Sequence, residues 1–183
     1  MVQTAKLSVE EYHRIIETGI FHERCIELLN GELIELAPET PFHANCHNKL
    51  FKYLLLKFDG LADVRSAHPI TLSTSEPQPD LVLAKLPETL YDRRHPYPED
   101  IYLLVEISYS TLDYDLNEKK HSYANAGIPE YWIVDLENQR LIVFRNPQDR
   151  DYNETFEYRA GVVELMAFPE VKLEVIRLLI DLN

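Results

Sequence analysis

Apolar residues along the chain change their period several times, and each change marks an element. Ile101 to Ile107 is a near-continuous apolar run, the pattern of a strand covered on both faces, and Glu106 interrupts it close to its C-terminal end. Ser110 and Thr111 are suitable N-caps, while Gly127 and Pro129 supply stop signals, so about four turns of helix are predicted before a second buried strand that ends at Asp135. Leu112, Leu116, Lys119, Tyr123 and Ala126 recur at helical spacing and share one face. Lys119 therefore points where the apolar residues point. Either its stem packs and its ammonium snorkels to water, or it reaches Glu106 and forms a buried pair.

Upstream, Ser8 to Glu11 has capping-box form ahead of an apolar stripe, which predicts a short helix before Gly19. Cys25 to Leu29, Asn30-Gly31 and Glu32 to Ala37 read as a hairpin with a two-residue turn. A core helix is expected from His43 to Phe58, then short strands at Ala62 to Ser66, Ile70 to Leu72 and Leu81 to Ala84, with Asp80 at the start of the last. Leu86 to Asp100 reads as a surface loop. Beyond Asp135, Asn138 and Gln139 turn the chain into Leu141 to Phe144. Phe156 to Tyr158 and Val162 to Leu165 suggest a hairpin about Ala160-Gly161, and the last apolar residues fit a strand or a helix. No break divides the chain, so one domain over 1–183 is expected, with its core at about 43–135.

Composition is that of a globular protein, with 45% hydrophobic residues. No apolar run approaches the roughly 20 residues of a spanning helix and no signal-peptide h-region is evident, so a soluble, cytoplasmic protein is expected. Cys25 and Cys46 lack C-x-x-C spacing and are expected to be reduced. The net charge of −13 opposes non-specific nucleic-acid binding, although net charge says nothing of local patches.

Asp80 and Glu106 stand on strands expected to be neighbours, where two acids converge on one point. Oxygen ligands of this kind suit Mg²⁺ or Mn²⁺, and a lysine beside them would orient an attacking water or stabilise charge on a phosphoryl group. The arrangement predicts phosphodiester hydrolysis. Glu32 is a third carboxylate within reach from the hairpin, for which an exposed strand position is the competing reading. His43 and His47, four apart with Cys46 between, share a helix face, for which a packing or capping role outweighs a zinc site.

Pro79-Asp80, Val105-Glu106-Ile107-Ser108, Lys119 and the run YANAGIPEYW from Tyr123 to Trp132 resemble the Uma-two family of endonucleases, within the PD-(D/E)-x-K nuclease superfamily. The likeness extends upstream to His43 and to IELLNGELIEL, from Ile26 to Leu36. It implies a restriction endonuclease-like α/β fold, a mixed central sheet flanked by helices, here with an added N-terminal helix and hairpin. It also implies Mg²⁺- or Mn²⁺-dependent cleavage of nucleic acid, with DNA the expected substrate. Carried over by position, Asp80 and Glu106 are the metal ligands. The motif's lysine belongs two residues after the glutamate, where this chain has Ser108. Relocation to the helix makes Lys119 the third catalytic residue, a pattern the superfamily permits. His43 aligns with a family histidine and is a candidate substrate contact, as is the Ser108 hydroxyl, for which N-capping is the competing role. Superfamily members often pair, so a homodimer is compatible. The alternative is a catalytically silent nuclease-fold module that binds a protein partner or nucleic acid.

Overall fold

A computed structural model describes residues 4–179. The first helix, α1 (Val9–Glu17), starts where its caps dictate. Ser8 Oγ accepts the Glu11 N–H at 3.1 Å, and the Glu11 carboxylate accepts the Ser8 N–H at 2.8 Å. The hairpin follows as β1 (Ile26–Leu29) and β2 (Glu32–Glu35). Asn30 and Gly31 have φ of 51° and 80°, the pair of positive values that a type I′ turn requires. Gly31 has a second reason to be glycine, since a Cβ there would lie 2.9 Å from Lys6 Cβ. Every residue of β1 is buried, whereas β2 is mostly exposed. The segment 74–78 covers β1, with the Glu76 N–H donating to Leu28 O at 2.7 Å and the Gly31 N–H to Thr74 O at 2.9 Å.

A six-stranded sheet forms the centre, built from β3 (Asp63–Ser66), β4 (Leu81–Ala84), β5 (Ile101–Ser108), β6 (Glu130–Asp135), β7 (Arg140–Gln148) and β8 (Asp151–Tyr158), in that spatial order. Only β5 and β6 run parallel. A parallel pair needs a crossover, and the helical stretch 112–125 supplies it. Side chains alternate along β5. Leu103, Val105 and Ile107 join a core with Cys46, Leu50 and Leu54 of α2 (Pro41–Lys57), and Leu104 joins Tyr123, Tyr131 and Phe144 on the opposite face. Each fully buried leucine of these cores contributes about 1.5–3 kcal/mol. Glu106 and Ser108 share the phase of Leu104, so they point toward the crossover.

Three expectations are corrected. Ile70 to Leu72 is not a strand, because a local turn takes its backbone: Leu72 N–H bonds Ser75 O, and Ile70 N–H bonds Pro77 O. The chain from 156 to 165 is not one hairpin. Phe156 pairs instead with Val143 across β7 and β8, which are joined at Asp149-Arg150 with φ of 50° and 71°. That turn has the geometry of a favoured hairpin without its usual glycine. β9 (Val162–Leu165) pairs with β10 (Phe168–Glu174), and α5 (Val175–Leu179) closes the described chain, so both strand and helix occur in the tail. The sheet continues past Asp135 into β7 and β8. The third correction, to the crossover helix, belongs to the site.

Candidate active site

The crossover is not one regular helix. It runs as α3 (Leu112–Tyr114), a π-turn over Asp115–Lys119, and α4 (Lys120–Asn125). The Lys120 N–H reaches Asp115 O, five residues back, and the Tyr131 hydroxyl donates to the same carbonyl at 3.2 Å. A widened turn of this kind is a frequent feature of functional sites. Here both its first and its last side chain, Asp115 and Lys119, are buried. Thr111 precedes the helix without capping its backbone. Its hydroxyl donates to Asp115 Oδ2 at 2.7 Å, as does that of Ser108.

Lys119 is 5% exposed, and its Nζ donates to Glu106 Oε1 at 3.0 Å. The ammonium does not snorkel. The Tyr123 hydroxyl donates to the same oxygen at 2.7 Å. Glu27, fully buried on β1, brings Oε2 to 4.0 Å from Nζ and is held by the Gln78 N–H at 3.0 Å and the Tyr114 hydroxyl at 3.4 Å. Burial raises the pKa of Glu106, Lys119 opposes this, and the fields of Asp115 and Asp80 add to it. For Lys119, burial pulls downward, but Glu106, Glu27, Asp115 and Asp80 outweigh it and hold the group above its ordinary value. Both members of the pair thus shift upward. With one ammonium among several carboxylates, the positive charge on Lys119 is the secure one.

Asp80 stands immediately before β4, and its Oδ2 accepts the Ile107 N–H at 2.7 Å, which fixes it beside the residue after Glu106. His43, in the first turn of α2, reaches the same place. Its Nε2 lies 2.9 Å from Ile107 O and 3.5 Å from Asp80 Oδ2, and its Nδ1 lies 2.8 Å from Glu39. The bond to Asp80 raises its pKa to about 9, against burial and with help from Glu39. A raised histidine stabilises the fold fully below the ordinary value of 6.5 and loses that contribution as pH rises through about 9. The parent should therefore melt above a His43→Gln variant by a margin that is largest below pH 6.5 and shrinks toward pH 9. A margin independent of pH would mean that the ring is neutral.

Residues 9–176 match the family Uma2, described as "Putative restriction endonuclease". The chain belongs to the Uma2 family. A solved structure described as "a putative nuclease belonging to DUF820 from Anabaena variabilis ATCC 29413" is similar with a TM-score of 0.69 and 15% identity, over 94% of this chain and 97% of that one. At that identity the likeness is one of fold, the restriction endonuclease-like mixed α/β arrangement. No protein of curated function matches the chain.

In this Uma2 chain Lys119 bonds Glu106, both lie under the field of Asp80, and Asp80 and His43 are tied to the backbone of Ile107, the residue after Glu106. Ser108 has a different place from the expected substrate contact: it is fully buried, and its hydroxyl is taken up by Asp115. Glu32 is exposed and pairs with Lys6 at 2.8 Å. The hairpin carboxylate that enters the site is Glu27. Its signal was present in the sequence, since Glu27 interrupts the apolar run IELL as Glu106 interrupts its own. Asp115 had no such signal, because a regular helix gives no reason to single it out.

Among the described residues, no three His, Cys, Asp or Glu side chains are grouped to hold a metal. The carboxylate oxygens of Asp80 and Glu106 are nonetheless of the right chemistry for a hard divalent ion, with no soft ligand beside them. Among the described residues no hydrogen bond is made by Asp80 Oδ1 or Glu106 Oε2. Mg²⁺ commonly takes one or two carboxylates and keeps the rest of its shell as water, so the residues fit. His43 and His47 each direct Nε2 at a backbone carbonyl, of Ile107 and Asp80 respectively, an arrangement that accounts for both rings by packing.

Proposed function

We propose that this Uma2 protein is a divalent-metal-dependent endonuclease that hydrolyses phosphodiester bonds in DNA. The observation that carries the reading is the buried Lys119 ammonium, 3.0 Å from Glu106 and under the field of Asp80. Asp80 and Glu106 would hold Mg²⁺ or Mn²⁺, which supplies Lewis-acid charge at the phosphate and a more acidic water. The chain's own groups do the positioning. Tyr123 and Lys119 fix one oxygen of Glu106 and leave the other open, and the Ile107 N–H does the same for Asp80. Glu27 and Asp115 keep Lys119 charged, so that it can orient a water or stabilise charge developing on the phosphoryl oxygens. His43, cationic beside Asp80, adds positive charge to the site while both its ring nitrogens are held, by Ile107 O and by Glu39.

The reading takes the protein to be cytoplasmic and acting as a single domain. Among the described residues no helix is long and apolar enough to cross a membrane. A second reading, a silent nuclease-fold module, draws support from the engagement of Lys119 in an ion pair and from the net charge of −13. Calorimetric titration with Mn²⁺ separates them. The nuclease reading expects saturable binding that disappears in an Asp80→Ala variant, whereas heats identical in parent and variant would favour the silent module.

A further inference from the structure

The Lys119 ammonium carries three N–H donors, and among the described residues one of them is taken up, by Glu106 Oε1 at 3.0 Å. Glu27 is the complementary case. It is fully buried, yet its carboxylate receives one short hydrogen bond, from the Gln78 N–H at 3.0 Å, and one long one, from the Tyr114 hydroxyl at 3.4 Å. A buried carboxylate short of donors is destabilising, because the bonds it gave up in water are not replaced. The two under-supplied groups face each other, with Glu27 Oε2 at 4.0 Å from Nζ. That separation allows attraction without a hydrogen bond.

Closing the gap to a charge-assisted bond takes an approach of about 1 Å, which the long lysine stem supplies through small changes in its terminal torsions. Glu106 tolerates the departure. Its Oε1 keeps the Tyr123 hydroxyl at 2.7 Å, so the oxygen is not left without a donor. Asp115 is the poorer destination, since among the described residues it makes no ion pair with Lys119, and its Oδ2 already accepts the hydroxyls of Ser108 and Thr111 at 2.7 Å.

A second cation on Glu106 supplies the reason to move. Two positive charges that share one carboxylate repel each other, and in an interior poor in water that repulsion is weakly screened.

We infer that Glu27 is a positioning residue and the second seat of Lys119: on binding of a divalent cation at Glu106 the ammonium passes to Glu27, still charged, with donors free for a water or a phosphate oxygen. The exchange rests on the nuclease reading. The existence of the second seat does not.

Lysine ammonium groups can be followed directly in ¹H–¹⁵N NMR spectra of the full chain, with Lys119 assigned by the signal that Lys119→Met removes. Without metal, the parent should show this signal in slow exchange with water, because the group is buried. Glu106→Gln takes away the charge of the first partner and keeps its shape. The Lys119 signal should persist there at a new position, and adding Glu27→Gln should abolish it. Saturating Mg²⁺ should move the parent's signal toward its position in Glu106→Gln, whereas in the Glu27→Gln single variant Mg²⁺ should broaden it beyond detection. A lysine that only braces the fold through Glu106 would show neither change. Loss of the signal in Glu106→Gln alone, in a chain that circular dichroism shows to be folded, would overturn the second seat. A parent signal unmoved by Mg²⁺ where calorimetry shows the site filled, or an identical response in Glu27→Gln, would overturn the exchange. Absence of any binding heat would overturn the nuclease reading and the exchange together, while the metal-free spectra of Glu106→Gln still decide the seat by themselves.

Discussion

Replacing Lys119 with methionine should lower the unfolding free energy by about 3–5 kcal/mol, the range for breaking a buried ion pair from one side. Methionine approximates the stem and loses only the charge. The carboxylates of Glu27, Glu106 and Asp115, all buried, would then face one another without a counter-ion. The deficit should depend on pH in a definite direction. Burial has already raised Glu106 and Asp115, and Lys119 restrains both shifts. Without the ammonium both rise further. A carboxylate raised in the folded state contributes stability below its ordinary value and loses it as pH climbs through the raised one, so the variant should recover stability toward acid. Urea unfolding at pH 5 and pH 8 checks this. Adding Glu106→Gln to Lys119→Met should restore part of the loss, a coupling that a double-mutant cycle measures. A deficit below about 1 kcal/mol, equal at both pH values, would show that the ammonium compensates no buried charge.

Much of this site could be read before any coordinates. Glu106 announces itself by interrupting an apolar run, and the spacing of Leu112, Leu116, Lys119 and Tyr123 already turns Lys119 inward. What could not be read has a common physical cause. The π-turn adds one residue to a helical repeat, and no local propensity marks that insertion, since it is stabilised from outside by the Tyr131 hydroxyl on Asp115 O. Asp115 becomes buried for the same reason. The β7–β8 turn carries no sequence mark, because Asp149 and Arg150 adopt positive φ without glycine, whereas Ala160-Gly161 carries a hairpin signal between two strands that do not pair. Side-chain destinations across the fold were the least legible. Glu27 and Glu32 stand in one hairpin, and only the docking of β1 beneath residues 74–78 decides which of them is enclosed.

That docking also explains why the hairpin belongs to the site. Glu27 needs a donor to be tolerable in the interior, and it finds the Gln78 N–H from the segment that leads directly to Pro79-Asp80. Glu27 and Asp80 are therefore positioned by one stretch of backbone. Lys119 lies under the fields of both acids, so the ammonium, the hairpin and the strand start are held as one arrangement. Disturbing any member should be felt at the others.

Asp80→Asn should reduce metal-stimulated nicking of supercoiled plasmid by about a thousandfold or more, while the melting temperature moves by only about a few degrees. Asparagine is the informative substitution because it keeps an oxygen for the Ile107 N–H, now bonded at 2.7 Å, where alanine would leave that donor orphaned. What it removes is the negative charge. A divalent cation loses a ligand, and His43 loses the chief cause of its raised pKa, so the imidazole should titrate nearer 6.5 than 9 in NMR spectra of the variant. The two readouts constrain each other. Lost nicking together with a shifted His43 places the metal and the histidine on one carboxylate. A shifted His43 with nicking equal to the parent's, in preparations purified side by side, would leave Asp80 a structural partner of α2 and remove it from the chemistry.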